Sequence, residues 1–75
     1  MKKPDWSDAP NWAAWLAMDA NGQWNWWEEK PEITSEDHDC WLPTLEQILR
    51  SGNQDEFAGI GGNGYSWKES LEPRP

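Results

Sequence analysis

The chain has 75 residues, 14 acids against 6 bases, a net charge of −8 and a single cysteine, Cys40. So acidic a surface excludes docking on nucleic-acid phosphates or on anionic lipid, and a lone cysteine excludes an internal disulfide. No segment approaches the roughly 20 apolar residues of a membrane span, and no apolar run follows Lys2 and Lys3, so neither a span nor a secretory signal is expected.

The length fits one small domain, residues 1–75, that buries only about 60% of the surface its unfolded chain exposes. Aliphatic residues are scarce: there is no valine, with three isoleucines and five leucines. Eight tryptophans fill the gap. Each buries roughly 150–250 Å², so a few of them replace an aliphatic core and argue against full disorder.

Residues 1–11 contain Pro4 and Pro10 and no periodicity, which predicts an irregular arm pinned by Trp6. "WAAWLAM", residues 12–18, is open to a helix capped by Asn11 or to a strand. The "DANG" that follows, with "QWNWW" beyond it, favours a β-hairpin. Asn21-Gly22 alone fits a two-residue loop. "Asp-Ala-Asn-Gly" also fits a three-residue loop, with a type I turn over Ala20 and Asn21 and Gly22 in the left-handed region. Asp19 suits the first turn position because its carboxylate accepts from backbone amides further on. The three-residue loop sets Met18 opposite Trp24, Leu16 opposite Trp26 and Trp15 opposite Trp27. It gathers Leu16, Met18, Trp24 and Trp26 on one face with Ala14 beside them, and a one-residue slip scatters that set. Trp15 and Trp27 then form a cross-strand pair on the second face.

Residues 28–39 carry six acids against Lys30, with Pro31 ending the strand or holding an edge and Ile33 as an anchor. "CWL", residues 40–42, is a short apolar patch, strand or loop. A short helix is predicted next. Thr44 is its N-cap, Gln47 completes a capping box, and Leu45, Ile48 and Leu49 share one stripe. Arg50 suits the last turn and Gly52 the C-terminal cap. The glycine-rich residues 53–66 read as a loop, with Tyr65, Trp67 and Leu71 supplying one more strand before the terminal prolines. The resulting expectation is an α+β fold: a small antiparallel sheet of two or three strands (hairpin about 13–29), a short helix at about 44–51, and irregular termini.

Four features bear on chemistry. "GIGGNG", residues 59–64, lacks the lysine and serine or threonine of a phosphate loop and has no βαβ unit around it, so it reads as loop. "EDHDC", residues 36–40, cannot build a four-ligand zinc set from one histidine and one cysteine. His38 and Cys40 fall on one side of an extended segment, the only arrangement here that suits a nucleophile and base. A chain this short offers little pocket to hold them, and Cys40 beside Trp41 reads as a small core residue. No enzyme activity, cofactor or metal is expected. The acids from Glu28 to Asp39 either solvate the fold or imitate the phosphates of a duplex, as acidic inhibitors of nucleic-acid-processing enzymes do. Trp15 and Trp27 are covered by the chain's own N-terminal arm or C-terminal segment, or else form an exposed aromatic patch for a partner.

Two stretches carry a resemblance. "PDWSDAPNWAAWLAMDANGQWNWWEEKPE" resembles the opening of small tryptophan-rich proteins of tailed bacteriophages and enterobacterial prophages, through Trp6, Ala9-Pro10, Trp12-Ala13, Gly22, Trp24, Trp26 and Glu29-Lys30-Pro31. "SWKESLEPRP" resembles the ending of similar proteins, through Trp67, Lys68, Glu69, Ser70, Leu71, Arg74 and Pro75. Residues 34–64 have no such counterpart. The resemblance implies a phage origin and the host bacterial cytoplasm as location, and supplies no activity.

The expected function is that of a non-catalytic phage accessory protein that binds a host or phage protein, with a basic partner suited to the charge. Its candidate contact residues are Trp15, Trp27, Glu28, Glu29, Glu32, Glu36, Asp37 and Asp39. The alternatives are an acidic DNA-mimic inhibitor of a host enzyme and, from another class, a small enzyme using His38 and Cys40.

Overall fold

A computed structural model of the protein describes residues 3–33, 39–50, 52–61 and 66–75. Its centre is the hairpin of β1 (Trp15–Met18) and β2 (Gln23–Trp27), in the register expected from the three-residue loop. Gly22 N donates to Asp19 O at 2.9 Å and Asp19 N to Gln23 O at 2.8 Å. Gly22 has φ +88°, and a Cβ there would sit 3.1 Å from Gly61 O. The Asp19 carboxylate meets a more distant amide than the turn's own: its Oδ1 accepts from Trp41 N at 2.9 Å.

The sheet has four strands, in the order β3-β2-β1-β4, rather than the two or three expected. β3 (Asp55–Ile60) occupies the stretch read as loop. Its side chains carry a poor strand signal, but its main chain pairs along the outer edge of β2, and an irregularity opposite Trp24 and Asn25 accommodates one extra residue. The last strand comes later than the sequence suggested. Trp67–Glu69 form a 3-10 turn, and β4 (Glu72–Pro73) pairs with Trp15 and Leu16 of β1. Tyr65 lies outside the described residues.

Both faces of the hairpin are covered. On the first, Leu16, Met18, Trp24 and Trp26 are buried with Ala13, while Ala14 is only half-buried. The N-terminal arm closes this face. Trp6, in a 3-10 turn over Trp6–Asp8, packs on Trp26 with ring centroids 5.0 Å apart and planes tilted by 53°, and donates Nε1 to Glu72. On the second face, Ala17 and Trp27 are buried with Trp41, and Ile33, Trp67 and Leu71 pack around them. Trp41 Nε1 donates to Met18 O at 3.0 Å, and its ring meets Trp67 edge-on at 6.3 Å. The buried Ser70 Oγ accepts from Met18 N and lies 2.7 Å from Trp67 O, so the C-terminal segment is fastened to the end of β1.

The helix α1 (Leu45–Leu49) forms with the caps read from sequence: Thr44 Oγ1 accepts from Gln47 N, and Gln47 Oε1 accepts from Thr44 N. Gly52, at φ +93°, closes it by donating N–H to Gln47 O. Its orientation is the unexpected feature. Leu45, Ile48 and Leu49 face solvent, and the residue buried beneath the helix is Gln47. Glu32 and Leu42 exchange main-chain hydrogen bonds at 2.8 and 2.9 Å, which closes the acidic connection at its base.

Single substitutions test the turn and the second-face cover. Gly22→Ala places a Cβ in the left-handed region against Gly61 O and should cost about 1–2 kcal/mol in urea unfolding; unfolding at the wild-type midpoint would contradict that turn geometry. Trp41→Phe keeps an aromatic ring but removes the Nε1 donor and part of the second-face cover, for a loss of about 1–3 kcal/mol by the same measurement.

Candidate protein-binding surface

Of the contact residues expected from sequence, the aromatic pair does not form an exposed patch. Trp27 is 3% exposed, beneath Trp41 and its neighbours. Trp15 is half-buried, with the Lys30 ammonium 5.7 Å from its ring centroid. The physical reason is that an uncovered second face would leave two indoles in water, and the C-terminal segment and Trp41 remove them. Glu28, Glu32 and Asp39 are exposed. Glu29 is half-buried and ion-paired with Arg50 at 2.8 Å. Asp39 O accepts from Ala20 N, so the acidic connection returns to the hairpin loop. Glu36, Asp37 and His38 lie outside the described residues.

Cys40 is half-buried. Desolvation, then the nearby Asp19 and Asp39 carboxylates, push its thiol up from the ordinary value, which disfavours the nucleophilic thiolate. Among the described residues no three His, Cys, Asp or Glu side chains gather to hold a metal, and no helix is long and apolar enough to cross a membrane. A shallow cleft of about 430 Å³ is lined by Lys3, Pro4, Asp5, Trp6 and Pro75, and its cation is already engaged with Glu72 at 2.8 Å.

The surface that sequence reasoning missed is α1. Leu45, Ile48 and Leu49 are 71%, 56% and 78% exposed. Their i, i+3, i+4 spacing was visible, but the same spacing marks a core-facing helix. The polar residues beneath the helix decide its direction. Gln47 Nε2 donates to Lys30 O at 2.9 Å. Asn53 Nδ2 lies 2.7 Å from Glu29 O, and Asn53 Oδ1 accepts from Glu29 N at 2.8 Å. Asn53 Nδ2 also lies 3.0 Å from Gln47 Oε1. This amide network, almost fully buried, fixes α1 to the exit of β2 through its polar side. The apolar side is left outward and held rigidly.

Electrostatics around α1 are one-sided. Every described Lys and Arg is engaged within the chain. Lys3 pairs with Glu72 and Arg50 with Glu29. Lys30, Lys68 and Arg74 lie over the rings of Trp15, Trp67 and Trp6. Glu28, Glu32 and Glu46, by contrast, are exposed near or on the helix. The acids that these internal pairs leave over are thus exposed on α1 and on the segment to which it is fixed.

Comparison with protein-family models, with curated proteins and with solved structures finds no match to this chain.

Asp19 supplies a pH test of the link between the hairpin loop and Trp41. Burial raises its pKa above the ordinary 3.8, the Trp41 N–H opposes that, and Asp55 adds to the rise. A carboxyl that holds its proton more tightly when folded contributes stability below 3.8 that is lost as pH rises through the raised value. Asp19→Asn keeps an acceptor for Trp41 N and loses the charge. Its stability relative to wild type should rise between acid and neutral pH in a series of urea melts; parallel curves would exclude this account.

Proposed function

We propose that this protein is non-catalytic and acts by binding another protein, through the aliphatic stripe of α1 and the acids beside it. The carrying observation is the outward placement of Leu45, Ile48 and Leu49 on a helix whose polar side is fixed by Gln47 and Asn53. Three large aliphatic side chains in water weaken solubility unless something covers them, and clustered exposed apolar residues mark interaction sites. Rigid attachment removes part of the ordering cost of association. The net charge of −8, with the described bases engaged internally, favours a partner that presents basic residues around an apolar groove.

The resemblance of both ends of the chain to small phage and prophage proteins supports a phage accessory role in the host cytoplasm, with a host or phage protein as the partner. DNA mimicry calls for one continuous acidic face. The exposed acids occur on several elements, among them Asp8 in the N-terminal arm, Glu46 on α1, Asp55 and Glu56 on β3, and Glu69 near the C-terminus, and the aliphatic stripe of α1 favours protein binding over that alternative.

The test is a paired capture from host lysate, with wild type and the double variant Leu45→Ser/Leu49→Ser as baits. Both substitutions are exposed, so the variant should unfold within about 0.5 kcal/mol of wild type. It should retain the wild-type partner about tenfold less, and raised salt should release that partner from wild type. Equal retention by the two baits, or no salt-sensitive partner at all, overturns the proposal.

A further inference from the structure

The two edges of the sheet are unlike. β4 is two residues long and contains Pro73, which has no N–H to offer, and Arg74 N is already bonded to Ala14 O. That edge is blunted in the way proteins ordinarily protect themselves from unwanted pairing. β3, at the other edge, is six residues long, the longest strand of the sheet. Among the described residues it pairs with β2 alone.

Its main-chain groups can be assigned a direction. At one end Gln54 O accepts from Glu28 N, and at the other Gly61 N donates to Gly22 O, both toward β2. Main-chain direction alternates along an antiparallel ladder, so the neighbours Asp55 and Ile60 aim their N–H and C=O groups away from the sheet. The side chains along this edge divide by chemistry. Asp55 and Glu56 are exposed acids, while Phe57 and Ile60 are apolar and 57% and 56% exposed. Phe57 and Ile60 stand opposite Asn25 and Gln23, so they share a face with those half-buried polar residues, at the margin of the sheet.

We infer that β3 is a docking edge, which takes an extended basic segment of another protein as a fifth strand. Main-chain pairing supplies the affinity in such an arrangement, and alternate side chains supply the selection. Lysine or arginine on one face of the incoming strand meets Glu56, and apolar residues on its other face cover Phe57 and Ile60, beside Asp55. Charge argues against a second copy as the occupant, because each copy carries −8 and keeps its described bases engaged. The inference rests on the reading that this protein acts by binding another protein. It does not require α1 to be the contact.

The probe is a capped peptide of alternating lysine and valine, about eight residues long, titrated calorimetrically into the full chain. Binding should weaken as salt is raised, and hydrogen exchange at the Asp55 and Ile60 amides should slow in its presence. A peptide of the same sequence, N-methylated at alternate residues, keeps the charge and loses main-chain donors; it should bind about tenfold more weakly. Ile60→Pro removes an outward N–H and should cause a similar loss, whereas Leu45→Ser/Leu49→Ser should bind the peptide as wild type does. Equal binding of the methylated peptide overturns the inference whether or not the proline variant folds. So does failure of the plain peptide to bind, or protection confined to other amides. A dimer in sedimentation that Ile60→Pro dissociates would assign the edge to self-pairing instead. Loss of peptide binding in the α1 variant would place the contact on the helix, and a dispensable α1 in lysate capture would leave the β3 edge standing.

Discussion

The structure depends on a hairpin that is apolar on both faces. β1 and β2 bury Leu16, Met18, Trp24 and Trp26 on one side and Ala17 and Trp27 on the other. A sheet with one wet face needs a single layer of cover; this one needs two, from a short chain. The arm containing Trp6 supplies the first, and Trp41 with the C-terminal segment supplies the second. Trp67 packs against both clusters, and Ser70 fastens that segment to Met18. The burial is not free of cost: Trp27 Nε1 has no acceptor among the described residues, a penalty of about 1–3 kcal/mol that packing must outweigh.

The same cover sets the charge of the surface. Arg74 lies over Trp6 and donates to the carbonyl oxygens of Pro10 and Ala13, and Lys3 and Trp6 both bond Glu72. The basic groups thus join the N-terminal and C-terminal segments to each other. The two ends of the chain meet in these contacts and serve as the frame. The segment between them supplies α1 and β3. Both are attached in ways that leave apolar side chains outside: α1 through buried amides, β3 through its main chain.

Much of the frame was legible because its determinants are local. The loop Asp19 to Gly22 fixes the register by its length, and the wrong register would scatter the apolar set. Thr44, Gln47 and Gly52 mark the ends of α1 because capping bonds span only a few residues. The candidate surface was not legible for equally physical reasons. A helical stripe states which side chains share a face, and says nothing about whether protein or water lies against it. Trp15 and Trp27 were correctly paired, yet whether they were covered depended on residues far along the chain.

The sequence by itself determined the hairpin, its register, the caps of the helix and the acidity of the surface, since each follows from neighbours in the chain or from composition. Tertiary structure decided the rest. It turned α1 outward, because the buried Gln47 and Asn53 found main-chain partners at Lys30 and Glu29 that no short-range pattern announces. It made a strand of residues 55–60, because the open edge of β2 offered main-chain hydrogen bonds, and main-chain pairing leaves little trace in side-chain composition.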